Sequence, residues 1–79
     1  MRSVILTQTA RKELIEAQDW YENKVSGLGR RFRVAVDAVV ERVSANPRQF
    51  PVVHKTLRRA LLERFPYALI FVIEPMTVW

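Results

Sequence analysis

Two apolar stripes at helical spacing constrain this chain more than any other feature. Ala10, Leu14, Ala17, Tyr21 and Val25 stand four, three, four and four residues apart, and Leu28, Phe32, Ala35, Val39 and Val43 repeat that spacing. At about 100° per residue each set falls within one arc of a helix, which predicts two amphipathic helices facing a common core. The link, Ser26-Gly27-Leu28-Gly29, is short enough to force an antiparallel hairpin. Gly27 suits the left-handed position that ends the first helix, and Ser26 or Gly29 is placed to cap the second. Thr7 or Thr9 is placed to cap the first. Asn46-Pro47 should stop the second, because the residue before proline is pushed out of the helical region.

Beyond Pro47 the period changes. Val4-Ile5-Leu6 reads as a short opening strand and Phe50-Pro51-Val52-Val53 as extended chain. Leu57 to Phe65 and Tyr67 to Ile73 read as adjacent strands turned at Phe65-Pro66. In the second, Tyr67, Leu69, Phe71 and Ile73 share one face and Ala68, Ile70 and Val72 the other. Both faces are apolar, which predicts a central strand covered on both sides. Glu74-Pro75-Met76 reads as a turn into a last strand, Thr77-Val78-Trp79. The expected class is therefore α+β: an N-terminal strand and a helical hairpin packed on a small antiparallel sheet, one domain over residues 1–79.

A chain of 79 residues lies near the lower size limit for a domain that folds alone. Its 49% hydrophobic content argues against disorder, and with no cysteine it carries neither disulfide nor thiolate metal site. No signal-peptide pattern is visible, and the longest apolar run, Ala68 to Ile73, is too short to span a bilayer, so a cytoplasmic protein without membrane contact is expected.

The net charge of +5 is unevenly spread. From Pro47 to Tyr67 stand Arg48, Lys55, Arg58, Arg59 and Arg64 against one acid, Glu63. A polyanion or an acidic partner is expected to dock there. Alternate arginines on a strand are also ordinary solvated charge, and regular alternation puts only Arg58 and Arg64 on one face. Their joint replacement by alanine should then leave the fold intact.

His54 is the sole histidine, expected in the connection from Pro51 to Thr56, without a partner to make it an acid or base. Tyr67 has apolar neighbours, which favours core packing with a polar tip, beside a role as a candidate contact. Trp20 lies about 100° from Tyr21 on the helix, placed either to seal the hairpin edge or to meet a partner helix. The chain has no phosphate-cradling glycine motif and no metal-ligand cluster, so neither catalytic residues nor a nucleotide, metal or organic cofactor is expected.

Taken in order, Ala10…Leu14…Ala17…Trp20-Tyr21-Glu22, Gly27-Leu28-Gly29-x-x-Phe32, Asn46-Pro47…Phe50-Pro51 and Arg58-Arg59-x-Leu61-Leu62-x-Arg64-Phe65-Pro66-Tyr67 give a pattern that resembles the RelE/ParE superfamily of toxins from bacterial type II toxin–antitoxin systems, within it the ParE-like branch. The resemblance implies the same fold order, with a last strand beside the first. Trp79 would fall early in that strand, so a domain shortened at its C-terminus is expected. Its first strand would lack a neighbour, and the exposed sheet edge would be open to strand addition or self-association.

By the same resemblance the function would be that of a toxin. It would act on DNA gyrase by protein–protein contact and be neutralised by an acidic antitoxin that folds on binding. Arg58, Arg59, Arg64, Trp20 and Tyr67 would be the contact residues. The alternatives are a RelE-like messenger RNA endonuclease and a non-toxic remnant that still binds an antitoxin.

Overall fold

The computed structural model describes residues 4–73 and 76–79. Strand β1 (Ile5–Leu6) leads into helix α1 (Gln8–Lys24), and α2 (Leu28–Ala45) follows after a three-residue link. A 3-10 turn (Pro47–Gln49) then opens β2 (Val52–His54), β3 (Leu57–Leu61), β4 (Ala68–Val72) and β5 (Thr77–Val78). The sheet order is β1-β5-β4-β3-β2; β2 to β5 are antiparallel neighbours and β1 joins β5 in parallel. The fold is α+β, a helical hairpin on a mixed five-stranded sheet.

Thr7 caps α1 by accepting a hydrogen bond from the Ala10 N–H at 3.0 Å. Gly27 holds φ +89, the left-handed value that glycine takes without a Cβ clash. Neither Ser26 nor Gly29 caps α2, as the sequence suggested. Glu22 does so instead: its two carboxylate oxygens accept from the N–H groups of Gly27 and Gly29, each at 2.9 Å. A carboxylate at a helix N-terminus satisfies orphan donors and complements the helix dipole. Asn46 ends α2 and Pro47 starts the 3-10 turn.

The helices lie on one face of the sheet. Ala10 of α1 and Phe32, Val36, Val39 and Val43 of α2 bury against Ala60, Leu69, Phe71 and Val78. Phe32 is the hub, with the rings of Tyr21, Phe65 and Tyr67 at 5.0, 5.3 and 5.2 Å. Each such aromatic pair adds about 0.5–1.5 kcal/mol beyond area burial. The two stripes needed adjustment at their ends. Val25 is the exposed C-cap of α1, outside the core, and Val36 is buried where Ala35 is only half-buried.

Three strand expectations are corrected. First, β1 has a neighbour: Ile5 pairs with Thr77, and its N–H donates to the Met76 carbonyl at 2.8 Å. Second, β4 is central but buried on one face only. Leu69 and Phe71 are enclosed beneath the helices, while Ala68, Ile70 and Val72 on the other face are half-buried. Third, β3 stops at Leu61, and a six-residue connection, not a tight turn at Phe65-Pro66, leads to β4. The Leu62 N–H donates to the Tyr67 carbonyl and closes that connection at 3.0 Å. Of the expected final turn, Glu74 and Pro75 lie outside the described residues.

Candidate partner-binding surface

The three arginines that the sequence grouped together point three ways. Arg58 pairs with Phe71 in the β3–β4 register and so lies on the helix-facing side. Its guanidinium donates from Nη1 to the Phe50 carbonyl at 2.6 Å, tying β3 to the chain entering β2. Arg59 pairs with Ile70 on the opposite, outer face and is exposed. Arg64 belongs to no strand. It sits in the β3–β4 connection at φ +67, an uncommon value for a residue with a side chain. The expectation that Arg58 and Arg64 share a strand face is therefore overturned, because β3 ends before Arg64.

Lys55 lies in the β2–β3 turn at φ +50 and Arg48 in the 3-10 turn. His54 is the last residue of β2, paired with Leu57, and is exposed; it is not in a loop. The basic block from Pro47 to Tyr67 is thus spread over several sides of the molecule.

Trp20 stands 56% exposed, with its ring edge-to-face on Tyr21 at 5.1 Å and the Lys24 Nζ 5.0 Å from its centroid. It covers the hairpin edge and still presents a large apolar surface. Tyr67 packs against Phe32, and burial, followed by the charge of Glu13 and the neighbouring Tyr21, raises its hydroxyl pKa. It is a half-buried core tyrosine whose proton is harder to remove than usual.

A concavity on the α2 side involves other residues. A groove of about 1000 Å³ runs along α2 and is bounded by the β3–β4 connection. Its lining includes Leu28, Val34, Ala38 and Phe65, with Arg30, Arg31, Arg42 and Arg64 among the same set and Glu63 the one acid among the described residues. Val34 is 60% exposed there. The Arg42 guanidinium also lies 5.4 Å from the Phe50 ring centroid, which anchors it beside the groove. Only Arg64 of the sequence-selected residues contributes.

Sequence reasoning missed the rest, although a signal exists. Arg31, Ala35 (with Val34 beside it), Ala38 and Arg42 are four, three and four apart. They form a second face of α2, next to the buried stripe of Phe32, Val36, Val39 and Val43.

The outer sheet face is a further exposed apolar region. The register places Leu61 and Arg59 on it opposite Ala68 and Ile70, and Ile5 opposite Thr77. Leu61 and Ile5 are more than half exposed. Among the described residues no group of three or more His, Cys, Asp or Glu side chains is placed to hold a metal ion, and no helix is long and apolar enough to cross a membrane.

No family model, no curated protein and no solved structure matches this chain.

Proposed function

We propose that this protein is a ParE-like toxin of a type II toxin–antitoxin system. It acts in the cytoplasm on DNA gyrase by protein–protein contact and is neutralised by an acidic antitoxin. The observation that carries the reading is where the RelE/ParE-like residues fall in the chain order of strand, helical hairpin and sheet. Glu22 of the Trp20-Tyr21-Glu22 triplet clamps the hairpin turn at Gly27 and Gly29. Asn46-Pro47 ends α2, and Phe65 and Tyr67 dock on Phe32. Each piece of the pattern thus has a job in holding one fold.

A protein-binding mode is favoured over a messenger RNA endonuclease by the directions of the arginines. Arg58 is engaged by a backbone carbonyl, Arg59 faces out from the sheet, and Arg64 borders the α2 groove. Phosphoryl transfer needs cationic groups converging on one reacting phosphate, with a proton acceptor beside it. These residues do not converge.

The deciding experiment is expression of the chain in bacteria without an antitoxin, with growth, plasmid supercoiling and gyrase–DNA cleavage complexes followed together. Growth arrest with trapped cleavage complexes is the expected result. Arrest with messenger RNA cleavage in a reconstituted translation extract would replace this reading by the endonuclease. Normal growth of a folded, soluble chain would replace it by a non-toxic antitoxin-binding protein.

A further inference from the structure

We infer that this protein associates with a second copy of itself through the outer face of its sheet, about a two-fold axis running along β4. The inference does not rest on the toxin reading.

The helices cover one face of the sheet, and the other holds apolar side chains in the open. Ile5, Leu61 and Trp79 are 55%, 59% and 60% exposed. Between them, Ala68, Ile70 and Val72 of the central strand β4 are half-buried. A contiguous apolar patch of this kind marks a surface that another body covers.

One row across the patch identifies that body. Arg59 of β3 pairs with Ile70 of β4, and on the other side of β4 the Trp79 N–H donates to the Ile70 carbonyl at 2.7 Å. Val78 is buried on the helix side, so alternation puts Trp79 on the outer face with Ile70 and Arg59. The row reads cation, aliphatic centre, indole.

A copy turned by 180° about an axis along β4 lays this row on itself in reverse. Ile70 meets Ile70, and each Arg59 meets the Trp79 of the other copy. Guanidinium over indole is a favourable cation–π contact, more so once water is excluded. The interface is then self-complementary, as a two-fold requires, and has the aligned face-to-face packing of a β-sandwich. The alternative two-fold, across the strands, sets Arg59 against Arg59 and would desolvate two unpaired like charges.

The net charge of +5 does not block this approach. Arg58 lies on the helix-facing side and Arg64 borders the α2 groove. Among the described residues, Arg59 is the one Lys, Arg, Asp or Glu that the strand pairings place on the outer face. A single cation also makes other occupants fit less well. An anionic lipid surface or a nucleic acid is held by several cations together.

The test is sedimentation equilibrium of the intact chain, up to about 0.5 mM to reach weak association. The expected result is a concentration-dependent shift from one chain mass to two. Leu61→Glu, which puts a charge into the patch, and Arg59→Ala, which removes both cation–π contacts, should each weaken it at least about tenfold. Circular dichroism checks that each variant keeps its fold. Because the chain has no cysteine, Ile70→Cys introduces a lone thiol on the axis. Backbones about 10 Å apart are too distant for a disulfide, so a short bismaleimide is the probe. It should join Ile70→Cys chains into dimers and leave Val34→Cys chains, whose thiol lies on the helical side, as monomers.

A single-chain mass at every concentration overturns the inference. So does a dimer that survives both Leu61→Glu and Arg59→Ala, or equal crosslinking of Ile70→Cys and Val34→Cys, since the copies would then meet elsewhere. A monomer that binds phosphatidylserine vesicles, and loses that binding in Leu61→Glu, would give the face to a membrane surface instead.

Discussion

Glu22 and Gly29 hold the helical hairpin together across its turn. The Glu22 carboxylate accepts from the Gly29 N–H at 2.9 Å, and a Cβ built on Gly29 would lie 2.9 Å from the Glu22 Cβ and 2.8 Å from the Gln18 carbonyl oxygen. The second residue of α2 has no side chain to collide with the first helix. The first helix can then approach closely enough to lend its carboxylate.

Gly29→Ala should therefore destabilise the protein, although alanine favours helix by about 1 kcal/mol. The clash with backbone and with Glu22 should cost about 1–3 kcal/mol and outweigh that gain. Glu22→Gln should cost about 1 kcal/mol through loss of a charge-assisted cap. Urea unfolding of the three proteins measures both. A Gly29→Ala chain as stable as wild type would show that the hairpin can open at this crossing without cost.

Arg58 and Arg59 are neighbours with opposite expected behaviour. Arg58→Ala should cost about 1–3 kcal/mol, because it leaves the Phe50 carbonyl without its donor. Arg59→Ala, on the exposed outer face, should stay within about 0.5 kcal/mol of wild type. This reverses the sequence-based expectation that Arg58 can be removed freely. Equal midpoints for the two variants in urea would rule out a structural role for the Arg58 hydrogen bond.

Phe32→Ala should cost about 3–5 kcal/mol, since it removes the ring that Tyr21, Phe65 and Tyr67 share. In a domain this small that loss should abolish cooperative thermal unfolding. A calorimetric trace that retains a sharp transition within a few degrees of wild type would contradict the hub role.

Alkaline pH supplies a further prediction through Tyr67. Its folded pKa is raised above the ordinary value of about 10, chiefly by burial. For an acid with a raised folded pKa, the unfolded state releases its proton first. The contribution is complete below the unfolded pKa and is lost as pH rises from there through the folded value. Stability should decline above about pH 10, and Tyr67→Phe should flatten part of that decline. An unchanged pH profile in the Phe variant would assign the alkaline loss to other groups.

The fold was legible in the sequence wherever a pattern ran long enough to repeat. Ala10 to Tyr21 and Phe32 to Val43 show the helical period over several turns, and the structure keeps both as core-facing stripes. Two-residue strands hold no period at all, so the pairing of Ile5 with Thr77 was invisible from within either segment. The end of β3 was missed for a different reason. Leu61-Leu62-Glu63-Arg64-Phe65 continues to look like strand, but Arg64 takes a left-handed backbone that no propensity foretells. The candidate surface was less legible than the fold. Charge counted along the chain gathers Arg58, Arg59 and Arg64, whereas the groove draws Arg30, Arg31 and Arg42 from a helix and only Arg64 from that block.

The parallel pairing of β1 with β5 also sets the order in which this protein comes into being. The hairpin of α1 and α2 is held by contacts local in sequence, of the kind that form early. Strand β1 precedes that hairpin yet pairs, among the described residues, with Thr77 and Val78. During synthesis the pairing of the first strand can form only once Thr77 and Val78 have been made. Until then Ile5 and Leu6 lack the strand they pair with. Of the strands in this sheet, β1 is thus the one left longest without its partner.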